Sequence, residues 1–267
     1  MGKINIEDIW KKNFNDQKLI QVEESARIIA SENTDECIEK YRQLERSRKG
    51  KYISSDLMKF VFPDYAKSVE NRRIYNLSIS NSAACLANEM FRREMEKPEN
   101  VRCIFVAGAY GAGKSFFVQS LFEEAKENLE GTVIYEGSIT SKAIDGKIDY
   151  AIEHNVVPNM IVLNPTLELS LRNIKERANR IGRDVRKEDC IFVYAHIYDS
   201  LKRLTSKYPS INFAIYNKSS NIPIDLSVSS SIEDLNHGKL EQISNEYDNI
   251  KEKLLNEDIS NLEKGEK

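Results

Sequence analysis

Gly108-Ala109-Tyr110-Gly111-Ala112-Gly113-Lys114-Ser115 decides the reading of this chain. The octapeptide spells G-x-x-x-x-G-K-S, a phosphate-cradling P-loop pattern in which each fixed position has a physical task. The glycines let the backbone curl and aim successive N–H groups at phosphate oxygens. Lys114 reaches the outer phosphates of a nucleotide, and the Ser115 hydroxyl holds Mg²⁺. Composition alone produces such a pattern on the order of once in a hundred chains of this length, so the surroundings must decide. Upstream, residues 101–107 are a short and mostly apolar run, predicted to be a strand buried on both faces. Downstream, Phe116, Phe117, Val118, Leu121 and Phe122 recur at helical spacing. Strand, glycine loop and helix in that order set an anion at a helix N-terminus. The competing reading is an ordinary glycine-rich turn with an exposed lysine.

The chain has 267 residues, enough for one α/β domain with appendages or for two small domains. It is 40 % hydrophobic and 30 % charged, the balance of a soluble globular protein. A net charge of −3 argues against a general nucleic-acid binder. The one basic cluster, Arg42, Arg46, Arg48, Lys49 and Lys51, reads either as a local anion site or as the cationic C-terminal end of a helix. Cys37, Cys85, Cys103 and Cys190 are widely spaced, and with His154, His196 and His237 they make no metal-ligand pattern. Cys103 and Cys190 are expected to be buried free thiols. No leader segment and no run of about 18 apolar residues is present, so the expected setting is cytoplasmic and no membrane partner is expected.

Along the chain, residues 4–48 read as polar helices, 52–55 as a short strand, and 81–96 as an amphipathic helix. After the glycine loop, strands are expected at 131–135, 160–163 and 211–216, and helices at 141–154, 167–180 and 189–207. Residues 219–231 read as a Ser- and Asn-rich loop, and the tail from 232 as a polar helix. The expected fold is α/β, a mainly parallel P-loop NTPase-like sheet flanked by helices, with helical N- and C-terminal extensions. The expected divisions are 1–50, 51–231 and 232–267.

Phosphoryl transfer needs more than a donor cradle: a carboxylate to take the acceptor's proton, and cations for the transferring group. Asp56 directly follows the strand at 52–55. It reads equally as a carboxylate facing the ligand crevice at a strand's carboxyl end and as an N-cap. Glu136 ends the strand at 131–135. It either binds substrate or orients a Mg²⁺-bound water, or else is a solvated loop carboxylate. Arg172, Arg177, Arg180, Arg183 and Arg186 form an arginine-rich stretch interrupted by Gly182. It reads either as a solvated helix face or, beside a P-loop, as a lid presenting guanidinium groups to phosphates.

The order of these pieces resembles the zeta-toxin family of P-loop kinases. The resemblance lies in VAGAYGAGKS, then TVIYEGS, then RNIKERANRIGRDV, the helix containing His196, and AIYNKSS. It is closest to a branch in which an S-D-L-x-x-x-x-F-P-x-Y segment, here residues 55–65, precedes the P-loop. It covers roughly residues 50–220. In that family a D-x-[FL]-[KR] segment after the P-loop helix carries the catalytic base, and this chain has none there. The resemblance makes Asp56 its counterpart, on a strand moved to the N-terminal side as in a circular permutation. It makes Glu136 a substrate-side carboxylate and Arg180 and Arg183 the lid arginines, acting with Lys114. It implies a kinase using ATP or GTP with Mg²⁺ to phosphorylate a hydroxyl of a small nucleotide-like metabolite. In the family that acceptor is a UDP-linked amino sugar, and an antitoxin or other protein partner covers the nucleotide site. A nucleotide-binding module acting through protein–protein contacts is the alternative.

Overall fold

The computed structural model describes residues 3–125, 129–218 and 230–265. Five strands form one sheet: β1 (Tyr52–Ser54), β2 (Arg102–Gly108), β3 (Thr132–Glu136), β4 (Val157–Pro165) and β5 (Asn212–Lys218). Their order across the sheet is β1-β3-β2-β4-β5, and every pairing is parallel. The expected α/β class with a parallel sheet is the one observed.

Parallel neighbours cannot be joined by tight turns, so helices carry the connections. Before β1 come α1 (Gln17–Glu32) and α2 (Thr34–Gln43). Between β1 and β2 lie α3 (Ser55–Met58), α4 (Pro63–Ala66), α5 (Val69–Tyr75) and α6 (Ser80–Met95). Then α7 (Lys114–Glu124) leads to β3 and α8 (Ala143–Glu153) to β4. Two helices, α9 (Leu167–Ile181) and α10 (Lys187–Lys207), precede β5, and α11 (Leu240–Gly265) follows it.

The sheet is buried on both faces, because adjacent residues of β2 and β3 are all inaccessible: Phe105, Val106 and Ala107, and Val133, Ile134 and Tyr135. On one face the Phe91 ring of α6 lies 5.9 Å from that of Phe105, tilted to it, and 5.2 Å from that of Tyr135, edge-on to it. Phe117 of α7 meets Tyr216 of β5 at 6.4 Å. Ile9, Ala26, Ala30, Cys37 and Tyr41 belong to the same apolar core as the strands. A second cluster joins α9, α10 and α11 around Ala109. Cys37, Cys103 and Cys190 are buried free thiols, and burial pushes Cys37 up to about 11 and Cys190 up to about 12, so neither is a thiolate at neutral pH. Among the described residues no helix is long and apolar enough to cross a membrane.

The N-terminal region departs from the helical expectation. Helix α1 begins only at Gln17, where the Asp16 side chain accepts the N–H of Lys18 at 2.8 Å. Residues 4–16 form an arm with one 3₁₀ turn, Ile6–Asp8. The arm is held by Arg27, whose guanidinium donates to the carbonyls of Ile6 and Ile9 at 2.8 and 3.0 Å. The strand expected over 52–55 stops at Ser54, because Ser55 opens α3. The loop expected at 219–231 lies outside the described residues over 219–229.

β1 is an edge strand, with one side paired to β3 and backbone groups on the other side to be satisfied. Tyr41 does this: its buried hydroxyl donates to the carbonyl of Tyr52 at 2.8 Å and accepts the N–H of Ser54 at 3.0 Å. Tyr41→Phe strands both groups in the interior, and a loss of about 1–3 kcal/mol is expected in urea denaturation. A variant as stable as the wild type would show that this hydroxyl is not what closes the edge.

Candidate functional site

The glycine loop joins β2 to α7 at the carboxyl edge of the sheet, where parallel α/β proteins place ligands. Two close approaches require glycine there. Gly108 pairs in register with Leu163 and has φ 142°; a Cβ on it would stand 2.2 Å from the Leu163 carbonyl oxygen. Gly111 has φ 73°, and its Cβ would meet the Ser170 carbonyl oxygen at 2.3 Å. Helix α9 braces the loop from this side: Ser170 donates its hydroxyl to the Tyr110 carbonyl, and Asn173 Nδ2 donates to the Gly111 carbonyl at 2.7 Å. Gly113 caps α7, so Lys114 and Ser115 open that helix with its free N–H groups beside them.

Lys114 folds back on its own loop, donating from Nζ to the carbonyls of Gly108 at 3.2 Å and Ala109 at 3.0 Å. Burial lowers its pKa, Glu136 and Asp56 oppose that shift, and Arg177 and Arg183 add to it. These five charged groups therefore share one electrostatic neighbourhood.

Glu136 stands at the end of β3, level with Val106 of β2 and Ser54 of β1. One of its oxygens accepts the Ser115 hydroxyl at 2.9 Å and also the Tyr52 hydroxyl. A serine hydroxyl and a carboxylate side by side are the hard oxygen donors that suit Mg²⁺, which keeps several of its own waters. No cluster of three or more His, Cys, Asp or Glu side chains forms a metal site among the described residues.

Asp56 lies two residues beyond β1, in the first turn of α3. Its Oδ2 accepts from Arg183, and Lys59 Nζ lies 3.1 Å from its Oδ1. Burial disfavours its charge, but Arg183, Lys59 and Arg177 outweigh burial and hold the carboxyl well below the usual carboxylate range. Lys59 is itself buried and donates to Asn76 Oδ1 at 2.7 Å.

The arginine stretch divides in two. Arg183 sits just past Gly182, the left-handed cap that ends α9. That end is clasped by α5, since Arg72 Nε donates to the Ile181 carbonyl at 3.1 Å. Arg177, on the body of α9, has a buried Nε without a hydrogen-bond partner. Arg180 is exposed on the rim. Two clefts meet here. One, of about 840 Å³, is lined by the loop from Gly111 to Ser115, by Glu136, and by Arg177, Arg180 and Arg183. The other, of about 420 Å³, holds Asp56, Lys59 and Tyr110 and shares Arg177 and Arg183 with the first. A further hollow of about 440 Å³ lies at the ends of β4 and β5, around Asn164, Asn217 and His237, and includes none of these residues.

The structure therefore brings together the glycine loop, Lys114, Ser115, Glu136, Asp56 and Arg183, and leaves Arg180 at the margin. Lys59, Tyr52 and Asn173 are the functional candidates that the sequence reading passed over, and Arg177 was named in the arginine run but not singled out from it. Only Arg177 carried a signal, its place in the arginine run. No family model matches the chain, and no curated protein matches it.

Asp56→Asn leaves Lys59 and Arg183 without their counter-charge. A loss of about 1–2 kcal/mol is expected at pH 7, discounted from buried-pair values because the Asp56 side chain keeps 35 % of its surface. Its folded pKa lies below the unfolded value near ~4, so its contribution is complete above about pH 4 and disappears as pH falls. The stability gap between wild type and variant in urea should narrow below about pH 4; a gap that widens in acid contradicts the assignment.

Proposed function

We propose that the chain is a P-loop phosphotransferase similar to zeta-toxin kinases, moving the γ-phosphoryl group of ATP or GTP to a hydroxyl of a small nucleotide-like metabolite. One observation carries this reading: the glycine-loop cleft and the Asp56 crevice share Arg177 and Arg183. A donor phosphate and an acceptor hydroxyl would then meet between two arginines, with a carboxylate on the acceptor side. β1 lies at the sheet edge beside β3 and arrives from the N-terminal side, which supports treating Asp56 as the family's base on a permuted strand.

In this mechanism Lys114 exchanges the carbonyls of Gly108 and Ala109 for phosphate oxygens, a stronger charge-assisted contact. Arg177, with an unpartnered Nε, has a donor ready for the transferring group. Arg183 turns from Asp56 to phosphate, and Asp56 becomes a stronger base as its nearest cation leaves. The acceptor O–H proton passes to the Asp56 carboxylate while the acceptor oxygen bonds to the γ-phosphorus. The γ-phosphorus to bridging-oxygen bond breaks, releasing the nucleoside diphosphate. Ser115 and Glu136 would hold Mg²⁺, which supplies charge neutralisation at the phosphates. The proposed setting is the cytoplasm, supported by the four free thiols. The resemblance also implies a protein partner over the nucleotide site.

A nucleotide-binding module is the second reading, favoured by the fact that Arg183 and Lys59 already engage the Asp56 carboxyl. The two separate in a transfer assay with γ-labelled ATP and GTP on a metabolite extract. Lys114→Ala is expected to abolish transfer, and Asp56→Asn to lower it by roughly 10²–10⁴-fold while nucleotide affinity stays within a few-fold. Equal transfer by wild type and both variants removes the kinase reading. In the same assay Arg177→Ala should cost roughly 10²–10³ in kcat, whereas Arg180→Ala, an exposed and salt-screened charge, should stay within about a few-fold. The reverse order would make Arg180 the lid residue that matters.

A further inference from the structure

The Asp56 crevice is strongly cationic in a chain whose net charge is −3. Lys12, Lys59, Arg73, Arg177, Arg183 and Arg186 line it against three aspartates, Asp56, Asp184 and Asp189. Most of these cations are already paired: Lys59 and Arg183 with Asp56, Arg186 with Asp189 at 2.8 Å, and Arg73 with Glu70 at 3.0 Å. Lys12 and Arg177 form no ion pair among the described residues. Arg177 faces both clefts and belongs to the transfer step. Lys12 does not: it comes from the N-terminal arm, outside the stretch that resembles the kinase family, and lines the Asp56 crevice but not the glycine loop's cleft.

Its position is built. The Lys12 backbone N–H donates to Glu23 Oε1 at 2.9 Å, and Nζ donates to Ser80 Oγ at 2.8 Å. Arg27 fixes the arm just before it through the carbonyls of Ile6 and Ile9. Burial and the nearby Arg186 both work against the lysine's charge, and Glu23 and Asp189 support it. An ammonium held half-buried beside a guanidinium, with only a serine hydroxyl to bond, costs stability that an arriving anion would return.

We propose that this crevice is the acceptor site and takes a phosphorylated hydroxyl compound, with its hydroxyl at Asp56 and its phosphate on Lys12. The assignment as acceptor site rests on the phosphotransferase reading; anion binding at Lys12 stands without it. Neutral acceptors leave Lys12 unpaired, so the crevice selects for phosphate-bearing ones by the same cation that binds them.

Calorimetric titration of the full chain with inorganic pyrophosphate tests this, with and without a saturating non-hydrolysable ATP analogue and Mg²⁺. With the analogue bound, wild type is expected to take up pyrophosphate at a second site. Lys12→Ala should weaken that binding by about tenfold or more, and Lys12→Arg should restore most of it. No pyrophosphate binding to the analogue-filled chain, or equal affinity in Lys12→Ala, overturns the proposal. If the analogue itself fails to bind, the nucleotide reading falls. The titration of the empty chain then decides the anion site by the same comparison, and dependence on Lys114 alone counts against Lys12.

Discussion

Parallel pairing sends the carboxyl ends of all five strands to one edge of the sheet, and everything proposed for this chain depends on that constraint. Register makes it specific. Ser54, Glu136 and Val106 stand level across β1, β3 and β2, and Gly108 stands level with Leu163. A carboxylate two residues past β1, another at the end of β3 and a glycine loop after β2 are thus delivered to one place from positions about 80 residues apart. No long-range contact has to be invented for each of them.

That convergence concentrates charge. Burial lowers the pKa values of Lys114 and Arg177, and repulsion from neighbouring guanidiniums adds to it. Asp56 and Glu136 are the counter-charges that make the arrangement tolerable in the absence of phosphate. Each is engaged by the groups that a nucleotide would recruit: Asp56 by Arg183, and Glu136 by Ser115. On the proposed reading, nucleotide binding would be an exchange of partners rather than a creation of charge.

How much of this the sequence carried depends on the range of the forces involved. The strand–loop–helix around the glycine loop is local, and its periodicity and glycine spacing were legible. So were the boundaries of β2, α6 and α9, within a residue or two. Arg177 and Arg180 could not be separated by spacing, because they share a helix face. Both line the loop's cleft, and what separates them is burial, Arg177 being partly covered and Arg180 exposed, which depends on elements packed against α9 and not on any pattern within it. Likewise the arm at 4–16 reads as helix by composition. It is held open by a buried arginine about twenty residues away, a tertiary override of local preference. Glu136 was legible as a strand-end carboxylate but not as the partner of Ser115, since that pairing is set by sheet register.

Tyr41 gives the edge strand its outer partner, and the brevity of that strand has its own consequence. Three residues make a short ladder, and the backbone of β1 bonds to β3 on one flank and to a single phenol on the other, while its side chains are buried in the core. Asp56 follows closely on that strand, whereas the glycine loop follows β2, which has a paired strand on each side. The two halves of the site are therefore anchored differently: the glycine loop by the middle of the sheet, and the carboxylate by an edge strand that the helix bearing Tyr41 completes.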